Sequence, residues 1–443
     1  MVVAAVAALA LPRVARADDP KIKFEKYTLP NGLEVILAPD PSVPLVAVNL
    51  WYHVGSGDEV HGKSGFAHLF EHMMFQGSKN VGTDKHFPTL RKIGSDEING
   101  TTNSDRTNYF EVVPANQLAT ALWLESDRMG HLLDILDKDE LANQIDVVRN
   151  ERRQRYDNVP YTPARFAMLA ALYPEGHPYR YMTIGKHEDL VNASVDDVKN
   201  FFKTWYVPSN ATLALVGDFD PADAKVLVQK WFGTFPTSVK PIVVTVPAPT
   251  ISSSTVTVDD SLAKLRQVTF AWHSPASYAP GDAELDIAAS ALGEEGAGRL
   301  FKSLVYDKQL AQSVRVGQSG STFSGVFTIT VTLRSGSDLA AIEQIVADEV
   351  AKISREPLAD KEIARVVAAQ ESRAIYRLEG LNSRANQLQE YNQFLGDPDR
   401  ISFDLDRYRK ATADQIRATV AQWLSPQHEV IIVTNPVAKA GAK

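Results

Sequence analysis

The sequence predicts an α+β protein made of two homologous α/β-sandwich domains, each a sheet covered by helices and related by internal duplication. Two observations carry this. The first is a repeat: Ser194-Val195-Asp196-Asp197-Val198, Trp205, Pro208 and Thr212-Leu213-Ala214-Leu215-Val216 return as Thr412-Ala413-Asp414-Gln415-Ile416, Trp423, Pro426 and Val430-Ile431-Ile432-Val433-Thr434. The same 218 residues separate Ser194 from Thr412, Trp205 from Trp423 and Pro208 from Pro426. Each copy reads as a capped helix, a Pro-containing turn and a buried strand. The second observation is the stretch from Pro236 to Ser254, rich in Pro, Ser, Thr and Val, which punctuates the chain between the copies. A chain of 443 residues with 44% apolar content is long enough for two or more cores. The expected division is a leader at 1–17, a first domain at 18–236, a linker at 237–254 and a second domain at 255–443.

In chain order, Val2 to Pro12 is an apolar run too short to span a bilayer, followed by Ala15-Arg16-Ala17. It is expected to be a signal peptide cleaved after Ala17, which implies a periplasmic or secreted protein. No Lys or Arg precedes the run. Because residues 1–17 contain Arg13 and Arg16 and no acid, a mitochondrial presequence, with the matrix as its destination, is the alternative. No later stretch reaches 18 apolar residues, so no transmembrane segment is expected.

Glu25 to Leu29, the turn dipeptide Asn31-Gly32 and Leu33 to Ala38 form an expected hairpin, and Val46 to Tyr52 a further strand. Gly65 to Phe75 has helical spacing. Ile98 to Val113 suits two strands with a turn between. Leu118 to Leu133 is helical, with Glu125, Asp127 and Arg128 assigned to packing and surface pairing. Leu141 to Tyr156 is a further helix, and Gly176-His177-Pro178-Tyr179 a loop whose His is a turn residue at the cleft or without function. The second half opens with the strand Val268 to His273 and the helix Ala283 to Leu292.

The chemistry concentrates in Gly65-Phe66-Ala67-His68-Leu69-Phe70-Glu71-His72-Met73. His68 and His72, four residues apart on a helix, face the same way and can bind one zinc ion. Glu71 projects near that face, where it can hold and deprotonate a water whose acidity the metal raises. The spelling His-x-x-Glu-His is the inverted zincin motif. A catalytic zinc site takes three protein ligands, and Glu151 in Asn150-Glu151-Arg152-Arg153 is the best third candidate, its alternative being a salt-bridge partner on a solvated face. With no Cys in the chain, thiol catalysis and disulfides are excluded and any zinc must be held by His and carboxylate. A net charge of -8 leaves no basic footprint for nucleic acid. His53, His61 and His273 lack motif spacing and are assigned structural or surface roles.

The motif, the segment Asn99-Gly100-Thr101-Thr102-Asn103-Ser104-Asp105-Arg106-Thr107-Asn108-Tyr109 and the later Asn150-Glu151-Arg152-Arg153 resemble the pitrilysin family, especially its mitochondrial processing peptidase-like branch. The likeness runs in order from about Glu25 to Pro436. It implies a zinc metallopeptidase with one zinc per chain held by His68, His72 and Glu151, Glu71 as general base, and Asn99 as a residue touching peptide substrate, with a turn role as its alternative. It also implies a clam-shell arrangement closing with a partner. Two positions depart from the family. Gly298-Arg299-Leu300-Phe301 supplies the Arg expected to meet substrate, but Gln312 stands where a Tyr is expected; Gln144 stands where the family usually has a Glu. The helix Ala283 to Leu292, in the place equivalent to the His-bearing helix, carries no such motif. The expectation is therefore a zinc-bearing subunit of a heterodimer whose homologous partner carries both the Arg and the Tyr that Gln312 replaces here, with a homodimer as fallback and a non-catalytic scaffold or peptide-binding subunit as the rival class.

Overall fold

The computed structural model describes residues 18–243, 245–247 and 249–438. The expected leader, residues 1–17, lies outside the described residues. The strands are β1 Glu25–Thr28, β2 Glu34–Pro39, β3 Leu45–Tyr52, β4 Ile98–Thr102, β5 Thr107–Pro114, β6 Ala211–Gly217, β7 Ser254–Asp260, β8 Gln267–Ser274, β9 Ala311–Gly320, β10 Gly325–Leu333 and β11 Val430–Pro436. They form a six-stranded sheet ordered β1-β2-β6-β3-β5-β4 and a five-stranded sheet ordered β7-β11-β8-β10-β9. Strand for strand, β2-β6-β3-β5-β4 corresponds to β7-β11-β8-β10-β9, each with one parallel pair, β2 with β6 and β7 with β11. The duplication seen in the sequence is thus a duplication of topology.

Local chemistry explains the repeated unit. The helix Val195–Trp205 starts at Ser194, whose hydroxyl accepts from Asp197 N while the Asp197 carboxylate accepts from Ser194 N. Thr412 and Gln415 do the same for Ala413–Trp423. Each such box satisfies two amides that the first helical turn leaves without partners. A Pro-led turn follows, then β6 or β11. At the first hairpin, Gly32 has φ +97°, a conformation glycine adopts without strain, and joins β1 to β2 in antiparallel register.

The sequence division at 237–254 does not contain the packing. The first sheet buries one face, including Val35, Leu37, Val48 and Leu50, against helices of its own half. Its other face, Ile36, Ala38, Ala47, Ala214 and Val216, packs on Leu381, Ala385 and Leu388 of the helix Leu381–Leu395, which comes from the second half. In exchange, the helix Thr162–Leu172 of the first half lays Ala164 and Leu172 on Ala271, Val430 and Ile432 of the second sheet. Burial on both faces accounts for strands that read as continuous apolar runs rather than as alternation.

Three expectations change. β7 begins at Ser254, where the Pro/Ser/Thr/Val-rich stretch ends, and precedes the strand at which the second half was expected to open. Glu125, Asp127 and Arg128 are not surface pairs but buried. Arg128 donates through Nε to Glu125 Oε2 at 3.0 Å and lies 4.3 Å above the Tyr109 ring. His177 does sit in a turn, but it is buried, stacked on Tyr173 at 4.5 Å rather than facing the cleft. Helical periodicity misses such residues because it counts apolar side chains, whereas a paired charge can occupy a core position. His53 bridges Gln393 and Thr212 at 2.9 Å each, and His273 meets Leu172 O at 2.9 Å, both structural contacts. Among the described residues no helix is long and apolar enough to cross a membrane.

Candidate active site

The helix Phe66–Met73 buries Phe66, Ala67, Leu69, Phe70 and Met73, so its remaining side chains, His68, Glu71 and His72, stand together on the other face. Its start is fastened by Glu59, whose carboxyl oxygens accept from Gly65 N at 2.9 Å and Ala67 N at 2.8 Å, satisfying two amides at the helix start. Gly65 has φ +91°, and a Cβ there would lie 2.9 Å from Ile184 O, so the entry turn admits little but glycine.

Glu151 arrives from a second helix, Lys138–Arg152, which Asp137 caps by accepting from Asp139 N and Glu140 N. The helix continues into one wider π turn, Arg153–Asp157, a feature that often marks functional sites. Arg155 holds Glu151 Oε1 at 2.8 Å, while Arg152 bonds the Gly185 carbonyl beside the cleft. Glu151 Oε2 then points at His72 Nε2, 3.1 Å away, and at His68 Nε2, 3.6 Å away. Among the described residues these three form the one group of His and acidic side chains whose donor atoms all lie within 4.8 Å of one another.

This set fits zinc. Bonds of about 2.0–2.1 Å arranged tetrahedrally put neighbouring donors about 3.3 Å apart, and the two His–Glu separations bracket that value. The protonation states also suit. Burial, then the neighbouring His72, brings the His68 pKa down to about 4, so its ring is neutral at physiological pH and offers a lone pair. The hydrogen bond from His72 holds Glu151 below the usual carboxylate range. His68 Nδ1 is buried and meets no hydrogen-bond partner among the described residues.

Glu71 stands beside the triad. Burial raises its pKa, while Thr102 Oγ1 donates to its Oε2 at 2.6 Å and opposes that shift. Thr102 belongs to β4, which among the described residues pairs with β5 alone and leaves its other edge free at the end of the sheet. Gly100 on the same strand lets it approach the helix: a Cβ there would lie 3.0 Å from Glu71 Cγ and 3.0 Å from Phe75 Cε2. Together with Asn99, Thr101, Arg155, Tyr156, Thr183 and Ile184 these residues line an open cleft of about 360 Å³.

The structure therefore brings His68, Glu71, His72, Asn99 and Glu151 to one cleft. It does not bring Arg299, which forks onto Glu362 at 2.8 and 2.7 Å in the second half and is absent from the cleft lining. Gln312 is exposed at the start of β9, and Gln144 is buried along the Glu151 helix. The residue that sequence reasoning missed is Thr102. Its signal was the period-two alternation of a strand, which puts 100 and 102 on the face that meets Glu71.

Two family models match the chain: "Insulinase (Peptidase family M16)" over residues 34–181 and "Peptidase M16 inactive domain" over residues 192–370. Zinc protease PqqE of Helicobacter pylori is 27% identical over 376 residues, 83% of this chain and 83% of the relative. A crystal structure of a protease from Helicobacter pylori superposes with TM-score 0.87 at 25% identity, covering 94% of this chain and 100% of that one. The periplasmic protease PqqL from Escherichia coli superposes with TM-score 0.77 at 17% identity; 97% of this chain is covered, but only 50% of that longer one.

Proposed function

The chain belongs to peptidase family M16, the pitrilysin family, and on that premise we propose that it is a zinc-dependent endopeptidase or oligopeptidase acting on extended or unfolded peptides. The observation that carries this is the convergence of His68 Nε2, His72 Nε2 and Glu151 Oε2 next to Glu71. In this reading the first three residues hold the ion, one per chain. Zinc, when bound, supplies a Lewis acid that polarises a peptide carbonyl and acidifies water. Glu71, steadied by Thr102, takes a proton from the attacking water at its carboxylate and returns it to the leaving amine. The free edge of β4 offers main-chain donors and acceptors to an extended peptide, which favours unfolded substrates over any particular side chain, with Asn99 at its exposed rim.

The site is assigned to the domain at 18–236, with 237–254 as linker and 255–443 as a homologous domain lacking the motif. Arg299, committed to Glu362, and Gln312, in place of a Tyr, support a division of labour. A homologous second subunit, or a second copy of this chain, would face the cleft and supply the missing groups. That the longer PqqL chain is half covered by this one fits such pairing, and its description as periplasmic accords with a leader at residues 1–17. The test combines zinc stoichiometry with cleavage of an unstructured fluorogenic peptide by the chain, by Glu71→Gln and by each mixed with a homologous partner. Zinc bound at one per chain and cleavage lost in Glu71→Gln are expected. Absence of Glu71-dependent cleavage in every mixture would move the assignment to a scaffold or peptide-binding subunit.

A further inference from the structure

We infer that Asp105 is a positioning residue, which from the tip of the β4–β5 hairpin fastens the strand that orients Glu71 to the second half of the chain. Its effect on cleavage rests on the peptidase reading above; its mechanical part does not.

β4 ends at Thr102, the donor to Glu71, and the hairpin tip 103–106 follows at once. The tip is gripped from several sides. On the first-half side, Asn103 O accepts from Ser56 N at 3.0 Å and Ser104 O from Gly57 N at 2.8 Å, in the loop that leads into the His-bearing helix. A Cβ on Gly55 would lie 2.4 Å from Asn103 O, so this contact exists only because residue 55 has no side chain. Most of the remaining contacts fall on Asp105, from Tyr179 of the first half and from two residues of the second. Its Oδ1 accepts from Tyr179 OH at 2.6 Å, its Oδ2 from Thr322 N at 3.1 Å, and its carbonyl from Gln393 Nε2 at 2.9 Å. Thr322 lies in the β9–β10 turn, and Gln393 on the exchanged helix Leu381–Leu395. Tyr179 extends the link, since its oxygen accepts from Phe323 N at 3.2 Å and its ring stacks on Phe323 at 5.4 Å. Ser104 Oγ also meets Ser321 Oγ at 3.2 Å.

The hairpin does not need Asp105 to form. Asn103 Oδ1 accepts from both Asp105 N and Arg106 N, and Arg106 Nη1 donates to Thr101 O at 2.8 Å and to Asn108 Oδ1 at 3.0 Å. Removing the Asp105 carboxylate therefore takes away the bonds from Tyr179 OH and Thr322 N, loosening the tip from the β9–β10 turn, and leaves the hairpin turn and the Gln393 bond to the Asp105 carbonyl intact. Among the described residues β4 has a strand partner, β5, on one edge only, so loosening its tip loosens Thr102, and with it the setting of Glu71.

The experiment compares wild type, Asp105→Ala, Thr102→Val and the double variant as zinc-loaded full chains, with the partner where cleavage requires it. Amide exchange at residues 98–102 is measured beside kcat, KM and zinc content. Expected are faster exchange at 98–102 in Asp105→Ala, at least a tenfold fall in kcat with KM within about twofold, unchanged zinc stoichiometry, and less than a threefold further loss when Asp105→Ala is added to Thr102→Val. Unchanged exchange at 98–102 would overturn the inference. So would faster exchange with unchanged kcat, or two losses that simply multiply, since Asp105 would then not act through Thr102. Failure of the peptidase reading shows separately, as cleavage that survives Glu71→Gln.

Discussion

Beneath the cleft, Glu111, Glu125 and Arg128 share a fully buried pocket between the first sheet and the helix Leu118–His131. Arg128 forks onto Glu125, so that pair carries opposite charges. Burial, reinforced by the Glu125 carboxylate, pushes Glu111 well above the usual range, so it keeps its proton to higher pH in the fold than in water. The unfolded chain, with Glu111 free in water, releases that proton near pH 4.5. A group whose folded pKa is raised stabilises fully below its unfolded pKa and loses that contribution as pH rises towards the folded one. One proton is worth at most about 1.4 kcal/mol per pH unit, so stability should fall with that limiting slope as pH rises above about 4.5 towards the raised folded pKa. Glu111→Gln keeps the shape and cannot ionise. Denaturant unfolding of wild type and Glu111→Gln at pH 4.5, 5.5 and 6.5 should give the smallest difference at the lowest pH and a variant whose advantage grows as pH rises, by at most about 1.4 kcal/mol per pH unit. Parallel pH profiles would refute the reasoning, because they would mean that Glu111 is ionised in the fold or no more buried than in the unfolded chain.

Glu125→Gln should act oppositely, removing the carboxylate onto which buried Arg128 forks and costing about 3–5 kcal/mol at pH 7 in the same unfolding assay. Gly100→Ala should force Glu71 Cγ and Phe75 apart from β4 by a few tenths of an ångström; kcat should fall on the order of tenfold with zinc retained, measured by peptide cleavage and metal analysis. Glu151→Gln should weaken zinc binding by at least tenfold in equilibrium dialysis and shrink the rise in melting temperature that zinc gives the wild type. Glu71→Gln should bind zinc at the wild-type stoichiometry and lose peptide cleavage, because Glu71 donates no ligand atom to the triad.

Features that depend on short stretches of chain were legible in the sequence. The Asn31-Gly32 hairpin, the two capped helices 218 residues apart and the helical spacing of His68, Glu71 and His72 follow from local geometry, because turns, caps and faces are set within a few residues. What joins distant segments was decided by the tertiary structure. A strand's alternation shows which residues share a face, but not that β4 would set Thr102 against Glu71, nor that β7 would pair with β11 across more than a hundred and seventy residues of chain. A helix's apolar stripe shows that it must be covered, not that Leu381–Leu395 would cover the first sheet while Thr162–Leu172 covers the second. Nor does a charged residue announce its partner: Arg128 and Glu125 are buried because they meet each other in a space the sheet and helix enclose, and Arg299 is spoken for by Glu362. Burial and pairing are properties of the assembled core, where free energy depends on which surfaces meet, and that choice is made only when the whole chain has folded.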